Sequence, residues 1–333
     1  MQYRPLGSTG YHVSEVALGG WQIGGKWGSA FDGKTAHQTV NTAIDMGVNF
    51  IDTADVYDGG KSEHAIAEAV RNRADKNTGD IVIATKCGRK LNPHISESYT
   101  PAAIRGFVED SLANMGLTTI DIIQLHCPPT EVYYRPEIFD ALAELKAEGK
   151  IAHYGVSVEK VEEALKAIEF PGVETVQIIF NMFRQRPAEL FFEQAKKKNI
   201  GVIVRVPLAS GLLAGKFTSE SRFDSSDHRN FNRDGSAFDR GETFSGVDFA
   251  TGLKAVEELQ ANLPVDGATL AQLALRWILM FDAVSCIIPG ASRAEQPREN
   301  IEAANLAPLS GREMEAVRRI YDEHIRNPVH YLW

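Results

Sequence analysis

Eight short β-rich runs, each followed by a stretch with helical spacing, leave this chain few ways to fold. The runs are residues 13–19 (VSEVALG), 48–53 (VNFIDT), 80–86 (DIVIATK), 120–126 (IDIIQLH), 151–157 (IAHYGVS), 175–181 (TVQIIFN), 201–207 (GVIVRVP) and 284–289 (VSCIIP). Between them, residues 62–72, 101–115, 136–148 and 161–169 repeat apolar side chains at helical intervals, with Ser62 and Thr100-Pro101 as start signals and Gly149 as a stop. Strands joined through helices run parallel, and eight of them can close on themselves, which removes both sheet edges and leaves one core. The expected fold is α/β, a single (β/α)8 TIM barrel over residues 1–333.

The spacing breaks once. Residues 209–250 form a polar, Gly- and Arg-rich excursion after the seventh strand, long enough to be a functional lid or a disordered segment. Helices near 252–262 and 267–280 both precede the last strand, so one is additional to the barrel. Residues 311–325 read as a further C-terminal helix, ahead of the tail His330-Tyr331-Leu332-Trp333.

Ligands of such a barrel bind at the carboxyl ends of the strands, so polar residues there are the ones to collect. Asp52 closes strand two, Lys86 strand three, and Gln124 and His126 strand four, while Tyr57 follows strand two in its loop. Strands five to seven offer Ser157, Gln177, Asn181 and Arg205, and the loop after strand eight offers Ser292 and Arg293. Consecutive βα units are neighbours, which places Asp52, Lys86 and His126 in one sector with Tyr57 above it. That set suits delivery of a proton to an oxygen on which negative charge develops. The lysine favours the phenolate, the aspartate holds the lysine, Tyr57 acts as general acid, and His126 orients the carbonyl. Any one of these alone is more often a cap or a satisfied core residue; four in one sector are not. For Gln124, Asn181 and His153 the structural reading stays ahead.

Lys+Arg 35 against Asp+Glu 44 gives a net charge of −9, which opposes nucleic acid and acidic membrane surfaces as partners. Cys87, Cys127 and Cys286 are too few and too scattered for a disulfide scaffold and read as reduced buried thiols. The start has no apolar h-region and no later run approaches a membrane span, so a cytoplasmic protein is expected.

The segments LGSTGYHVSEVALGGW, NFIDTADVYDGGKSE, IVIATKCG, IDIIQLHCPP, GKIAHYGVS, PLASGLLAGKF and IIPGASRAEQPREN, in this order, resemble the aldo-keto reductases over essentially the whole chain. The resemblance implies reduction of aldehydes or ketones with NADPH and no metal, by the tetrad Asp52, Tyr57, Lys86 and His126. It implies that Ser157 and Gln177 hold the nicotinamide carboxamide, that Pro207, Leu208, Ser210 and Gly211 pass along the pyrophosphate, and that Ser292, Arg293, Gln296, Glu299 and Asn300 surround the adenosine end. Gly20, Trp21, Asp52, Arg205 and Gly290 complete the expected cofactor site, and Trp21, Tyr57 and His126 face the substrate. Two departures stand out: Val158 follows Ser157 where the family commonly has Asn, and Arg205 replaces an aromatic that stacks on the nicotinamide. A guanidinium can stack on a planar ring or pair with a phosphate. Arg293 beside Ser292 suits a 2′-phosphate, which favours NADPH over NADH.

Further candidate walls of the substrate pocket are residues 89–99, Tyr133, Tyr134, the excursion around His228 and Arg229, and the aromatic tail. These mix aromatic and polar surface and do not single out one carbonyl compound. Two competing readings remain. Gly28 to Thr35 (GSAFDGKT) fits the phosphate-loop pattern of a nucleotide triphosphatase, although Gly19-Gly20, Gly24-Gly25 and Trp27 separate it from the strand it should leave. The fold could also serve a non-catalytic, cofactor-binding regulatory subunit. No G-x-G-x-x-G supports a doubly wound dinucleotide domain, and no H-x-H or H-E-x-x-H pair supports a metal hydrolase.

Overall fold

A hairpin of β1 (Tyr3–Pro5) and β2 (His12–Ser14), paired antiparallel, caps one end of a ring of eight parallel strands. The computed structural model describes residues 1–23, 32–73, 80–265, 267–291 and 293–333. Around the ring run β3 (Leu18–Gly19), β4 (Phe50–Asp52), β5 (Val82–Cys87), β6 (Ile120–His126), β7 (Ile151–Ser157), β8 (Val173–Ile179), β9 (Gly201–Arg205) and β10 (Val284–Ile287), in chain order. First and last strands meet. The Ala17 amide donates to Ile287 O at 2.9 Å, Ile287 to Glu15 O at 3.0 Å and Gly19 to Pro289 O at 3.0 Å, so the barrel is closed.

Strands buried on both faces read as continuous apolar runs, which is why β6 and β7 coincide with the runs expected for them. The barrel interior is filled by Phe50, Val82, Ala84, Ile122, Ile203, Cys286 and Ile288, with Leu6 and Val13 of the hairpin stoppering its lower end. At Gly7 the backbone has φ +56° and a Cβ would fall 2.2 Å from the Gly201 amide nitrogen, so no larger residue fits where the hairpin closes the lower end. The run 13–19 is therefore not one strand. Residues 12–14 pair with the hairpin, and only Leu18 and Gly19 form a ladder with β4.

Six helices follow the first strands: α1 (Gly33–Asp45), α2 (Lys61–Arg71), α3 (Pro101–Met115), α4 (Pro136–Ala147), α5 (Val161–Ala167) and α6 (Phe191–Lys197). Thr100 caps α3 by accepting from the Ala103 amide at 3.1 Å, and Gly149 lies just past α4 with φ +75°. Ser62 is no cap. It lies inside α2, and its hydroxyl donates to Gly20 O at 2.9 Å while accepting from Thr53 at 2.8 Å.

The excursion is built rather than loose. It contains α7 (His228–Phe231) and short turns at Ala209–Ala214, Arg240–Glu242 and Phe244–Gly246, on a cluster of Phe217, Phe223, Phe244 and Phe249. Next come α8 (Phe249–Asn262) and α9 (Leu270–Leu279); α9 packs on β10 as the barrel helix, whereas α8 packs on α11 (Gly311–Ile320) and is the additional one. After the last strand α10 (Gln296–Glu302) packs between α9 and α1 as the eighth barrel helix, and α12 (Arg326–Val329), reached from α11 through a π-helical turn at Tyr321–Ile325, lies outside the barrel. Among the described residues no helix is long and apolar enough to cross a membrane.

Candidate active site

The ladder registers bring the strand ends together: Lys86 lies beside Gln124, His126 beside Ser157, and Ser157 beside Gln177. Tyr57 reaches over the same sector from a turn at Tyr57–Gly60, where Asp58 has φ 46° and Gly59 φ 66°. The Lys86 ammonium, wholly buried, donates to Asp52 Oδ2 at 2.6 Å, to Thr53 O at 2.8 Å and to the Tyr57 hydroxyl at 3.4 Å. Gln177 Nε2 donates to the other Asp52 oxygen at 2.7 Å. The rings of Tyr57 and His126 meet edge to face, with centroids 5.9 Å apart. All four residues expected to act together are together.

Burial works against the Lys86 charge, but Asp52 and then Tyr57 outweigh it and hold its pKa above 10.5. The same burial lifts Asp52, opposed by Lys86 and Gln177; because both its oxygens accept from N–H donors, we read the pair as ionised. His126 is pushed well below 6.5 by burial, then by the charges of Arg89, Lys86 and Arg205, so it is neutral. Tyr57 departs from expectation. Lysine was expected to make it more acidic, yet burial dominates and, helped by Asp52 and Glu242, raises it above 10.0 against the pull of Lys86. The phenol thus keeps its proton at neutral pH, as a proton donor must.

Three charged residues that do not close a strand join the site: Arg89, two residues beyond β5, Glu159, two beyond β7, and Glu242, in the excursion. Arg89 Nη1 lies 3.5 Å from His126 Nε2 and donates to Glu242 Oε1 at 2.9 Å. Arg205 pairs with Glu159 at 2.9 Å and Glu242 at 3.4 Å, and donates to Val158 O at 3.1 Å. Burial holds Glu159 well above the usual carboxylate range, against the pull of Arg205 and with repulsion from Glu242. Glu242 goes the other way, drawn below the usual carboxylate range because Arg89 and Arg205 overcome its burial. Arg205, expected to stack on a ring or pair with a phosphate, is thus already charge-paired.

The wall around the mouth is narrower than expected. Trp21 meets His228 edge to face at 5.2 Å, and Phe238 lies under the Arg89 guanidinium at 5.5 Å. Arg229 turns away onto Asp227 and Phe223, Tyr133 is buried, and Tyr134 is exposed under Lys166. Trp333 packs behind the excursion against Arg184 rather than in the mouth. Asn181 is structural, donating to Val206 O and Ser245, as is His153, paired with Glu174 at 3.0 Å. Gln124 does not fit that reading, since its buried amide finds no partner among the described residues.

The expected cofactor residues lie at the strand ends and in the segments that follow them. Gly20 sits against Asp52, its amide donating to Asp52 O at 2.6 Å. Gly290 bridges to Gly19, and Asn300 Nδ2 reaches Gly290 O at 3.4 Å. Pro207 and Leu208 lead from β9 into Ser210 (φ 56°) and Gly211 (φ 91°), both left-handed. Arg293 is exposed before α10, which carries Gln296, Glu299 and Asn300, and among the described residues no carboxylate pairs with it. Ser292 lies outside the described residues. A nicotinamide dinucleotide fits these positions: Arg205 Nε is buried without a partner at the strand-end side, and a cation stands open at the other end.

The phosphate-loop reading fails on geometry. Of that run residues 28–31 lie outside the described residues, but Asp32 caps α1 through the Lys34 and Thr35 amides, and the Thr35 hydroxyl donates to Asp32. Residues 20–32 separate β3 from α1, where a phosphate loop would join strand and helix directly.

A closed parallel barrel with an Asp-Lys-Tyr-His cluster at its mouth is the arrangement of a carbonyl-reducing oxidoreductase. The chain belongs to the aldo/keto reductase family, whose pattern matches residues 15–322. It is 30% identical over 321 residues to the uncharacterized oxidoreductase YqkF of Bacillus subtilis, covering 96% of each chain. It is also 30% identical over 322 residues to a probable voltage-gated potassium channel subunit beta of Arabidopsis thaliana, covering 93% of each. Among solved structures, the glycerol dehydrogenase AKR11B4 from Gluconobacter oxydans superposes with a TM-score of 0.78 at 28% identity, covering 98% of this chain and 97% of that one. Membership implies carbonyl reduction with a nicotinamide cofactor.

Proposed function

We propose that the chain is a single-domain, cytoplasmic, NADPH-dependent reductase that turns aldehyde or ketone carbonyls into alcohols, with Tyr57 as general acid. The observation that carries this is the Lys86 ammonium in contact with both Asp52 and the Tyr57 hydroxyl, at 2.6 and 3.4 Å. Ser157 and Gln177 would hold the nicotinamide end, Pro207 to Gly211 the pyrophosphate, and Arg293 with Gln296, Glu299 and Asn300 the adenosine end. Once bound, the cofactor supplies the hydride.

The chain's own part is the proton and the charge. The substrate oxygen docks between Tyr57 and His126. Tyr57 gives up its proton as the alkoxide develops, and the Lys86 charge stabilises the phenolate left behind. Neutral His126, as the tautomer with its proton on Nε2, donates a hydrogen bond to the same oxygen once the Arg89 guanidinium, 3.5 Å from that nitrogen, turns off it. Asp52, fixed by Gln177, keeps Lys86 charged and in place. No metal is required by this donor set.

A screen of NADPH and NADH oxidation over aliphatic aldehydes, aryl ketones and aldoses tests the reading. Carbonyl-dependent turnover faster with NADPH supports it; dinucleotide binding without turnover on any carbonyl would support the regulatory-subunit reading instead.

A further inference from the structure

The mouth of the barrel holds more hydrogen-bond donors than its carboxylates use. Arg89 and Arg205 pair with Glu159 and Glu242, Arg184 behind them donates to the Glu159 backbone carbonyl, and Asp239 is committed to the Gly241 amide. Nε of Arg205, Nε and Nη1 of Arg184 and one acceptor, Glu159 Oε1, are buried without partners among the described residues, so three donors stand against one oxygen. One oxygen, Glu242 Oε1, is shared between Arg89 at 2.9 Å and Arg205 at 3.4 Å. Glu242 comes from the excursion, not the barrel, on a short turn anchored by the Ser210 hydroxyl to Glu242 O at 2.8 Å. Its carboxylate sits where an external carboxylate would be held.

From this geometry we infer that Arg89 is a specificity residue that selects carbonyl compounds carrying a carboxylate on the carbon next to the carbonyl, with Glu242 as the built-in anion they displace. The inference rests on the reductase reading. Arg89 Nη1 lies 3.5 Å from His126 Nε2, so a carbonyl oxygen that takes about 3 Å to that nitrogen displaces the guanidinium by only the width of the substrate and leaves it beside the next carbon. In a 2-oxo acid one carboxylate oxygen lies about 3 Å from the carbonyl oxygen, within the span of the guanidinium fork. Substituents further from the carbonyl would pass beyond Arg89 toward Trp21 and His228. A guanidinium held by a displaceable partner favours an incoming anion over a neutral group of the same shape, because the neutral group leaves Arg89 with Glu242 and gains nothing from its charge.

Pyruvate and diacetyl are the probe pair, nearly equal in shape and differing in charge. The readout is the ratio of kcat/KM for pyruvate to that for diacetyl, measured with cofactor-saturated enzyme. Arg89→Met should lower this ratio by about tenfold or more, the scale of a charge-assisted hydrogen bond. Arg89→Lys, which keeps the charge and loses the fork, should fall between. Glu242→Gln should raise the ratio, because the competing anion is gone. A ratio unmoved in Arg89→Met, or lowered in Glu242→Gln, overturns the inference and leaves the reductase reading intact. Wild-type enzyme inert toward both probes and toward every other carbonyl overturns both.

Discussion

Gln177 on β8 donates its side-chain amide to Asp52 on β4 at 2.7 Å, spanning the mouth of the barrel. With Lys86 on the other oxygen at 2.6 Å, each oxygen of Asp52 accepts a hydrogen bond from a buried donor. A carboxylate that burial would neutralise is thereby kept ionised, and that charge in turn holds the ammonium beneath Tyr57.

Removing one partner of such a pair should cost more than the pair contributes, because the other charge is left buried and unmatched. Lys86→Met is expected to lose about 3–5 kcal/mol of unfolding free energy as well as activity. Denaturant titration of the purified variant checks this; a loss below about 1 kcal/mol would mean that Asp52 is solvated or neutral in the native protein.

Glu159 gives stability a pH dependence. Glu159 and Glu242 are a buried carboxyl pair, and burial with the repulsion of Glu242 holds Glu159 above its ordinary 4.5, so the native state keeps a proton there and the contribution is fully present below about pH 4.5. It is lost as pH rises through the raised folded value, where the unfolded chain has already released that proton. Glu159→Gln cannot ionise. Relative to wild type it should therefore gain in denaturant midpoint between pH 5 and pH 8.5; a difference that is constant with pH would contradict the assignment.

At the adenosine end, Arg293→Ala should weaken NADPH by about ten- to a hundredfold while weakening NADH far less, the scale of a charge-assisted contact to phosphate. Fluorescence titration with both dinucleotides decides this. Equal weakening would show that the arginine does not read the 2′-phosphate.

The barrel was legible because a strand buried on both faces writes its length directly into the sequence, as β6 and β7 do. The first strand was not, because residues 13–19 serve two structures in succession: Val13 and Ser14 pair with the hairpin, and Leu18 and Gly19 with the barrel. Asp52, Lys86 and His126 could be grouped because each closes one of three consecutive strands. Arg89 could be named only as part of a loop, and the signal that it belongs to the site was its place three residues after Lys86. Glu242 carries no such signal. It arrives from an excursion whose aromatic core, Phe217, Phe223, Phe244 and Phe249, has no regular spacing to announce it. The direction of the Tyr57 shift depends on burial, which a sequence does not give.

Tyr57→Phe tests the account most directly, since it removes one hydroxyl and little else. Cofactor-saturated carbonyl reduction should fall by about 10²- to 10⁴-fold, the usual contribution of a positioned acid, while the dissociation constant for NADPH stays within about twofold of wild type. Undiminished reduction by this variant would contradict the account.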